Sequence, residues 1–265
     1  MVVVCASPGV RCVKTASSTT SARHRVSDAR YRCSFDGVAE AYERSRPGYA
    51  AEAVEWISQR LPLGRVLDLG AGTGKLTRQL VPYALEVVAV EPGDEMRRVL
   101  QEVVPGVEAL FGTAEDIPLP DESVDVVTVA QAFHWFEIDA ALAEMQRVLR
   151  PMGGMAIVWN ERDDEDPLMR AIDELLRPLW PPATDDDTKE QILASPVFVS
   201  HDERAFPNVE RVDANCVVER VSSISVVAAA SKEAREPLLA EVRAVVGERM
   251  VDFPMITHVV AADRA

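Results

Sequence analysis

The sequence predicts a doubly wound α/β fold, a mostly parallel sheet with helices on both faces. Two observations lead there. Between residues 54 and 160, short runs rich in Val, Ile and Leu alternate with segments whose apolar residues recur every three or four positions. Such alternation builds a parallel sheet, because each crossover helix covers a sheet face. Finally, LDLGAGTGKLT (residues 67–77) places glycines at every second position directly after the first predicted strand. Right-handed crossovers put the ligand crevice at the carboxyl ends of the strands, where this turn sits.

The elements follow in order. Residues 35–60 read as one or two helices: FDGVAEAYERSRPGY breaks at Pro47-Gly48, and AAEAVEWISQRL follows. Predicted strands are RVLDLG (65–70), EVVAVE (86–91), SVDVVTVA (123–130) and GMAIVWN (154–160), with VEALFG (107–112) a weaker fifth. Between them, GKLTRQLVPYA, GDEMRRVLQEVV and EIDAALAEMQRVLR carry helical spacing, and Pro151 and Gly153 end the last of these. Beyond Asn160 the pattern loosens. An acidic, proline-punctuated stretch contains an amphipathic helix near 168–179. VERVDANCVVERVSSISVV suggests one or two strands, SKEAREPLLAEVRAVVGERM a helix despite Pro237, and MITHVVAADR a final strand.

Composition narrows the function. The chain has 265 residues, is 48% hydrophobic and carries a net charge of −15. Non-specific attraction to nucleic acid or an anionic membrane is therefore disfavoured, and the apolar runs are too short to span a bilayer. Cys5, Cys12, Cys33 and Cys216 form no CxxC pair. No zinc site, other metal or disulfide framework is expected, and a reduced cytoplasmic setting is. Residues 1–33 hold six basic residues and one acid, while 161–190 hold eleven acids and four bases. In the first segment the charge follows the apolar run, the reverse of a secretory signal. Residues 1–33 are expected to be a disordered extension ahead of one unit, 34–265, with a helical lid at 34–62 and an acidic insert at 161–200.

The glycine turn discriminates among nucleotide ligands. A P-loop needs GxxxxGK followed by Ser or Thr, but Leu69 occupies the first glycine position and Leu76 follows Lys75. A dinucleotide fingerprint needs a third glycine where Lys75 stands, which counts against a nicotinamide oxidoreductase. Lys75 itself reads as a solvated helix residue. What is left is Asp68-x-Gly70-x-Gly72-x-Gly74. This pattern, with three later motifs over roughly residues 35–160, resembles the class I S-adenosylmethionine (SAM)-dependent methyltransferases, in the small-molecule, methyltransferase-11-like branch.

The resemblance implies a seven-stranded Rossmann-like sheet and SAM as cofactor. It implies that Asp68 orients the cationic amino-acid end beside Gly70, Ala71, Gly72, Thr73 and Gly74. Glu91, followed by Pro92, takes the ribose hydroxyls and Met96 packs on the adenine. In GTAEDIPLPDESVDVV (112–127), Ala114 and either Glu115 or Asp116 read the adenine edge. VAQAFHWF (129–136) faces the methyl group: Gln131 touches the amino-acid moiety, and Phe133, Trp135 and Phe136 exclude water. His134 is either a general base or part of the wall. In the lid-like N-terminal stretch, Tyr42 and Arg46 approach the SAM carboxylate or the acceptor. That stretch with AFHWF is also similar to trans-aconitate and other small-acid methyltransferases, which leaves the acceptor open. Nucleic-acid amino-methylases carry an Asn/Asp-Pro-Pro-aromatic motif after strand four, and QAFHW has no proline. The expectation is therefore in-line methyl transfer to a small molecule, with no nucleic-acid or membrane partner and the oligomeric state open. A non-catalytic SAM-binding regulator or partner protein and a protein methyltransferase are the alternatives.

Overall fold

A computed structural model describes residues 39–180, 191–192 and 194–265. The expected extension at 1–33, the start of the folded pattern at Ser34 and part of the acidic insert lie outside the described residues. In chain order the elements are α1 (Ala39–Ser45), α2 (Ala51–Arg60), β1 (Arg65–Leu69), α3 (Thr77–Leu80), β2 (Glu86–Val90), α4 (Asp94–Val103), β3 (Glu108–Leu110) and β4 (Val124–Ala130). Then come a 3-10 turn (Phe133–Trp135), α5 (Ile138–Val148), β5 (Leu149–Arg162), α6 (Pro167–Leu176), β6 (Phe198–Val212), α7 (Ala214–Ser222), α8 (Ser225–Ala228), α9 (Lys232–Val246) and β7 (Val251–Arg264).

The seven strands form one sheet in the order β3-β2-β1-β4-β5-β7-β6. β1 to β5 pair in parallel, and β7 runs antiparallel to both β5 and β6. Strand order reverses between β1 and β4, which opens a crevice at their carboxyl ends. Alternation along each strand feeds two apolar layers. Leu67, Leu69, Val127, Val129 and Ile157 pack with Leu142 and Met145 of α5 on one face. Val66, Val126, Ala156 and Val158 pack with Val54 and Ile57 of α2 on the other. A third cluster joins α6, α7 and α9 to Val251, Phe253 and Met255 of β7. Each buried Val, Leu, Ile, Phe or Met side chain among these contributes about 1.5–3 kcal/mol of transfer free energy.

Three sequence expectations change. VERVDANCVVERVSSISVV holds only the last residues of a strand and continues as α7 and α8. Asp213 starts α7, its side chain accepting the Cys216 N–H at 2.8 Å. Val217 and Val221, four apart, then bury one helix face, so the apolar period is helical. Pro151 and Gly153 lie inside β5, whose pairing with β4 shifts register between Val124 and Val126. The long strand β6 escaped sequence reading except for its last residues, Val209–Val212. It is an edge strand paired only to β7, largely exposed and polar, and it carries Pro207 within an unbroken register. An edge tolerates proline and needs no apolar alternation. Among the described residues, no helix is long and apolar enough to cross a membrane.

Candidate cofactor and active site

The turn after β1 is pinned before any ligand is considered. Gly70 N–H and Ala71 N–H both donate to Val90 O, at 2.8 and 3.1 Å. Gly70, Gly72 and Gly74 have φ of 69°, 56° and 83°, a region in which side chains cost energy. Their surroundings differ. A Cβ on Gly70 would lie 2.7 Å from the Ala132 Cβ, and one on Gly74 would lie 3.0 Å from Leu100 and 3.1 Å from Val104. A Cβ on Gly72 would meet nothing within 4 Å. So Gly70 admits the post-β4 turn, Gly74 admits α4, and Gly72 alone faces open space. Gly74→Val should lower stability by roughly 2–4 kcal/mol, combining left-handed strain with overpacking. Gly72→Ala should cost only about 1 kcal/mol. Thermal denaturation of the two variants checks the contrast, which equal losses would contradict.

A cavity of about 350 Å³ opens where Gly72 faces. It is lined by Leu69, Gly70 and Gly72 after β1, by Glu91, Pro92, Gly93 and Met96 after β2, and by Gly112 to Glu115 after β3. Ala130, Gln131, Ala132, Trp135 and Phe136 supply the β4 side, and Tyr42 of α1 closes it. Four strand ends and one N-terminal helix thus meet at a single hollow. Glu91 organises its floor. Oε2 accepts the Gly72 N–H and Oε1 the Gly93 N–H, each at 2.8 Å. Burial pushes its carboxyl above the usual range, and those two N–H donors pull it back.

Comparison with known proteins agrees with this fold. Residues 67–157 match a family model described as a methyltransferase domain. The chain is 52% identical over 145 residues to an uncharacterized methyltransferase of Mycobacterium tuberculosis, covering 54% of this chain and 58% of that one. It is 41% identical over 139 residues to an uncharacterized methyltransferase of Schizosaccharomyces pombe, covering 51% and 55%. The chain thus spans a little over half the length of these relatives. A solved putative type II methyltransferase from Anaeromyxobacter dehalogenans superposes with a TM-score of 0.65 at 27% identity, covering 83% of this chain and 97% of that one. Residues 67–157 form a methyltransferase domain, within a sheet that is similar to those of solved class I methyltransferases. The cofactor of this family is SAM.

Within this methyltransferase domain the expected residues divide. Tyr42, Gly70, Gly72, Glu91, Pro92, Met96, Ala114, Glu115 and Gln131 line the cavity; Asp68, Ala71, Thr73, Gly74, Arg46 and His134 are outside its lining. Asp68 is the largest departure. Its side chain is buried, with Oδ2 accepting from Thr77 Oγ1 at 2.6 Å and Oδ1 from Thr128 Oγ1 at 3.0 Å. It braces β1, α3 and β4 from beneath the turn, because alternation along β1 turns it to the Val66 face, away from Leu67 and Leu69. Burial raises its carboxyl to about 6, against the lowering effect of the Thr77 and Thr128 hydrogen bonds.

Of the two candidate acids after β3, Glu115 lines the cavity, with Oε1 accepting the Glu137 N–H at 2.9 Å. Asp116 is exposed, and its backbone closes a bridge with Thr113. Gln131 sits at φ 54° and its Nε2 donates to Asn160 O at 2.9 Å, tying β4 to β5. Phe133 is buried below the cavity and packs on Phe136, centroids 5.2 Å apart. His134 packs against Trp135, centroids 4.8 Å apart, so it backs the cavity wall. Arg46 points to the C-terminal helices: Nε donates to Ser223 Oγ and Nη2 to Ser223 O, each at 2.8 Å, with its guanidinium over the Tyr42 ring. Lys75 is not solvated; its Nζ donates to Glu43 O at 2.5 Å. Glu43, a single acid in an acid-rich chain, has no pattern around it that marks it for function.

Proposed function

We propose that this methyltransferase domain moves the SAM methyl group to a small-molecule acceptor by in-line displacement. One observation carries the proposal: a single cavity joins the half-buried carboxylate of Glu91 and the open face of Gly72 to the aromatic wall of Trp135 and Phe136, beside Tyr42. The residues suit the cofactor. Glu91, already oriented by two backbone N–H groups, keeps acceptor capacity for ribose hydroxyls. Pro92, Met96 and Ala114 offer apolar surface to an adenine, with Glu115 at its edge. Gly72 and Gln131 bound the end left for the amino-acid portion.

Bound SAM supplies an activated methyl group on a sulfonium. The protein's part is alignment and exclusion of water. Trp135 and Phe136 form the dry wall on the β4 side, and His134 and Phe133 hold that wall. His134 is assigned to wall support; a base is needed only by an acceptor that must lose a proton. The net charge of −15 and the apolar lining favour a small neutral or cationic molecule over a polyanion.

The test has two arms. Calorimetry with SAM and S-adenosylhomocysteine should show binding to the purified protein, and its absence would refute the donor assignment. Incubation with methyl-labelled SAM and fractionated metabolites should then put label into a small-molecule fraction. Label in protein alone would replace the small-molecule reading, and binding with no transfer would leave a SAM-binding regulator.

A further inference from the structure

Three groups converge on Glu43, the residue beside Tyr42 on α1. Thr73 Oγ1 donates to Glu43 Oε2 at 2.7 Å. Arg78 Nη2 lies 2.8 Å from Glu43 Oε1, and Lys75 Nζ lies 3.5 Å from the same oxygen. All three come from the glycine turn or the segment directly after it. The Glu43 and Lys75 side chains are each only 16% exposed, so the cluster is poorly screened compared with a surface pair. Thr73 is fully buried between Gly72, which faces the cavity, and Gly74, which packs on α4.

The described part of α1, Ala39–Ser45, is not held in position by helix formation alone. Tertiary ties set it instead. Tyr42 packs on the small cluster of Ala39, Met96 and Val99 and lines the cavity. At the other end Arg220 Nε donates to Ser45 O at 2.6 Å and Arg46 reaches Ser223, joining α1 to α7. Glu43 is the tie that runs from α1 to the glycine turn.

We propose that Glu43 is a positioning residue for the methyl donor: it locks α1 onto the glycine turn and so holds Tyr42 as the cavity wall. The proposal rests on reading the cavity as the donor site. Glu43 acts through Tyr42, with Thr73, Lys75 and Arg78 as its anchors on the turn, and is itself outside the cavity lining. No charge on Tyr42 is required, since burial holds its phenol above its ordinary range.

The experiment is calorimetry with S-adenosylhomocysteine on the wild type, Glu43→Ala, Glu43→Gln, Tyr42→Ala and the Glu43→Ala/Tyr42→Ala double variant. Glu43→Ala should weaken binding about tenfold, the scale of one charged hydrogen bond. Glu43→Gln keeps an oxygen for the Thr73 hydroxyl and should recover part of that loss. With Tyr42 already removed, deleting Glu43 should change affinity by less than about twofold, because the pair acts as one unit. Fully multiplicative losses, or wild-type affinity in Glu43→Ala, would overturn the proposal. If Glu43→Ala does not fold, Glu43→Gln with and without Tyr42→Ala decides it by the same rule. A wild type that binds no S-adenosylhomocysteine would overturn the donor assignment as well, whereas normal wild-type binding with an unaffected Glu43→Ala would overturn only the role of Glu43.

Discussion

Glu91→Ala should weaken S-adenosylhomocysteine binding roughly 100-fold, about 3 kcal/mol, the largest affinity loss of any single side chain in the cavity. Two effects add. The Gly72 and Gly93 N–H groups lose their shared acceptor, so the turn and the start of α4 are no longer held together. The ribose hydroxyls also lose a carboxylate whose orientation was already set, so no ordering cost had to be met on binding. Glu91→Gln is an instructive partner. Its amide oxygen can replace one carboxylate oxygen, but its NH₂ would face the N–H of the other glycine, donor against donor. Rescue should be slight. Calorimetry at neutral pH measures both, and an alanine variant within threefold of wild type would show that Glu91 serves only the loop.

The second large effect concerns Asp68 and pH. Its carboxyl is raised from an ordinary 3.8 to about 6, chiefly by burial. Between those values the folded protein keeps a proton that the unfolded chain has released. The unfolded state binds fewer protons there, so stability falls as pH rises from about 4 to about 6 and then levels. The Asp68 contribution to that fall is about 3 kcal/mol. Asp68→Asn removes the titration while keeping an oxygen for one threonine hydroxyl. Relative to wild type, the asparagine variant should therefore gain about 3 kcal/mol between pH 4 and pH 7. Urea titrations at the two pH values read that difference, and parallel pH profiles for the two proteins would refute it.

The strongest sequence signals were local ones. Apolar runs such as VVAV and VVTVA and the spacing of Asp68, Gly70, Gly72 and Gly74 announced β2, β4 and the turn, because period and φ preference are written into consecutive residues. Most of β6 was illegible for the opposite reason. A polar, proline-containing edge strand exists only because β7 offers it a ladder. The segment at 214–222 was misread because Val217, Val218 and Val221 favour either period until a cap is recognised, and Asp213 supplies that cap.

The site divides along the same line. The sequence by itself determined the strand–helix order, the left-handed glycine turn and the residues that come to the carboxyl ends of β1 to β4, since these follow from composition and spacing along one stretch of chain. Which face each residue takes was decided only in three dimensions. Strand alternation sends Asp68 under the turn, into the company of Thr77 and Thr128, while Glu91, just past the end of β2, stays free to turn toward Gly72. Arg46 goes to Ser223, 177 positions away, and Glu43 takes the place beside the turn. A side chain's partner depends on what the rest of the fold brings within about 3 Å of it, the reach of a hydrogen bond. No window of sequence contains that information.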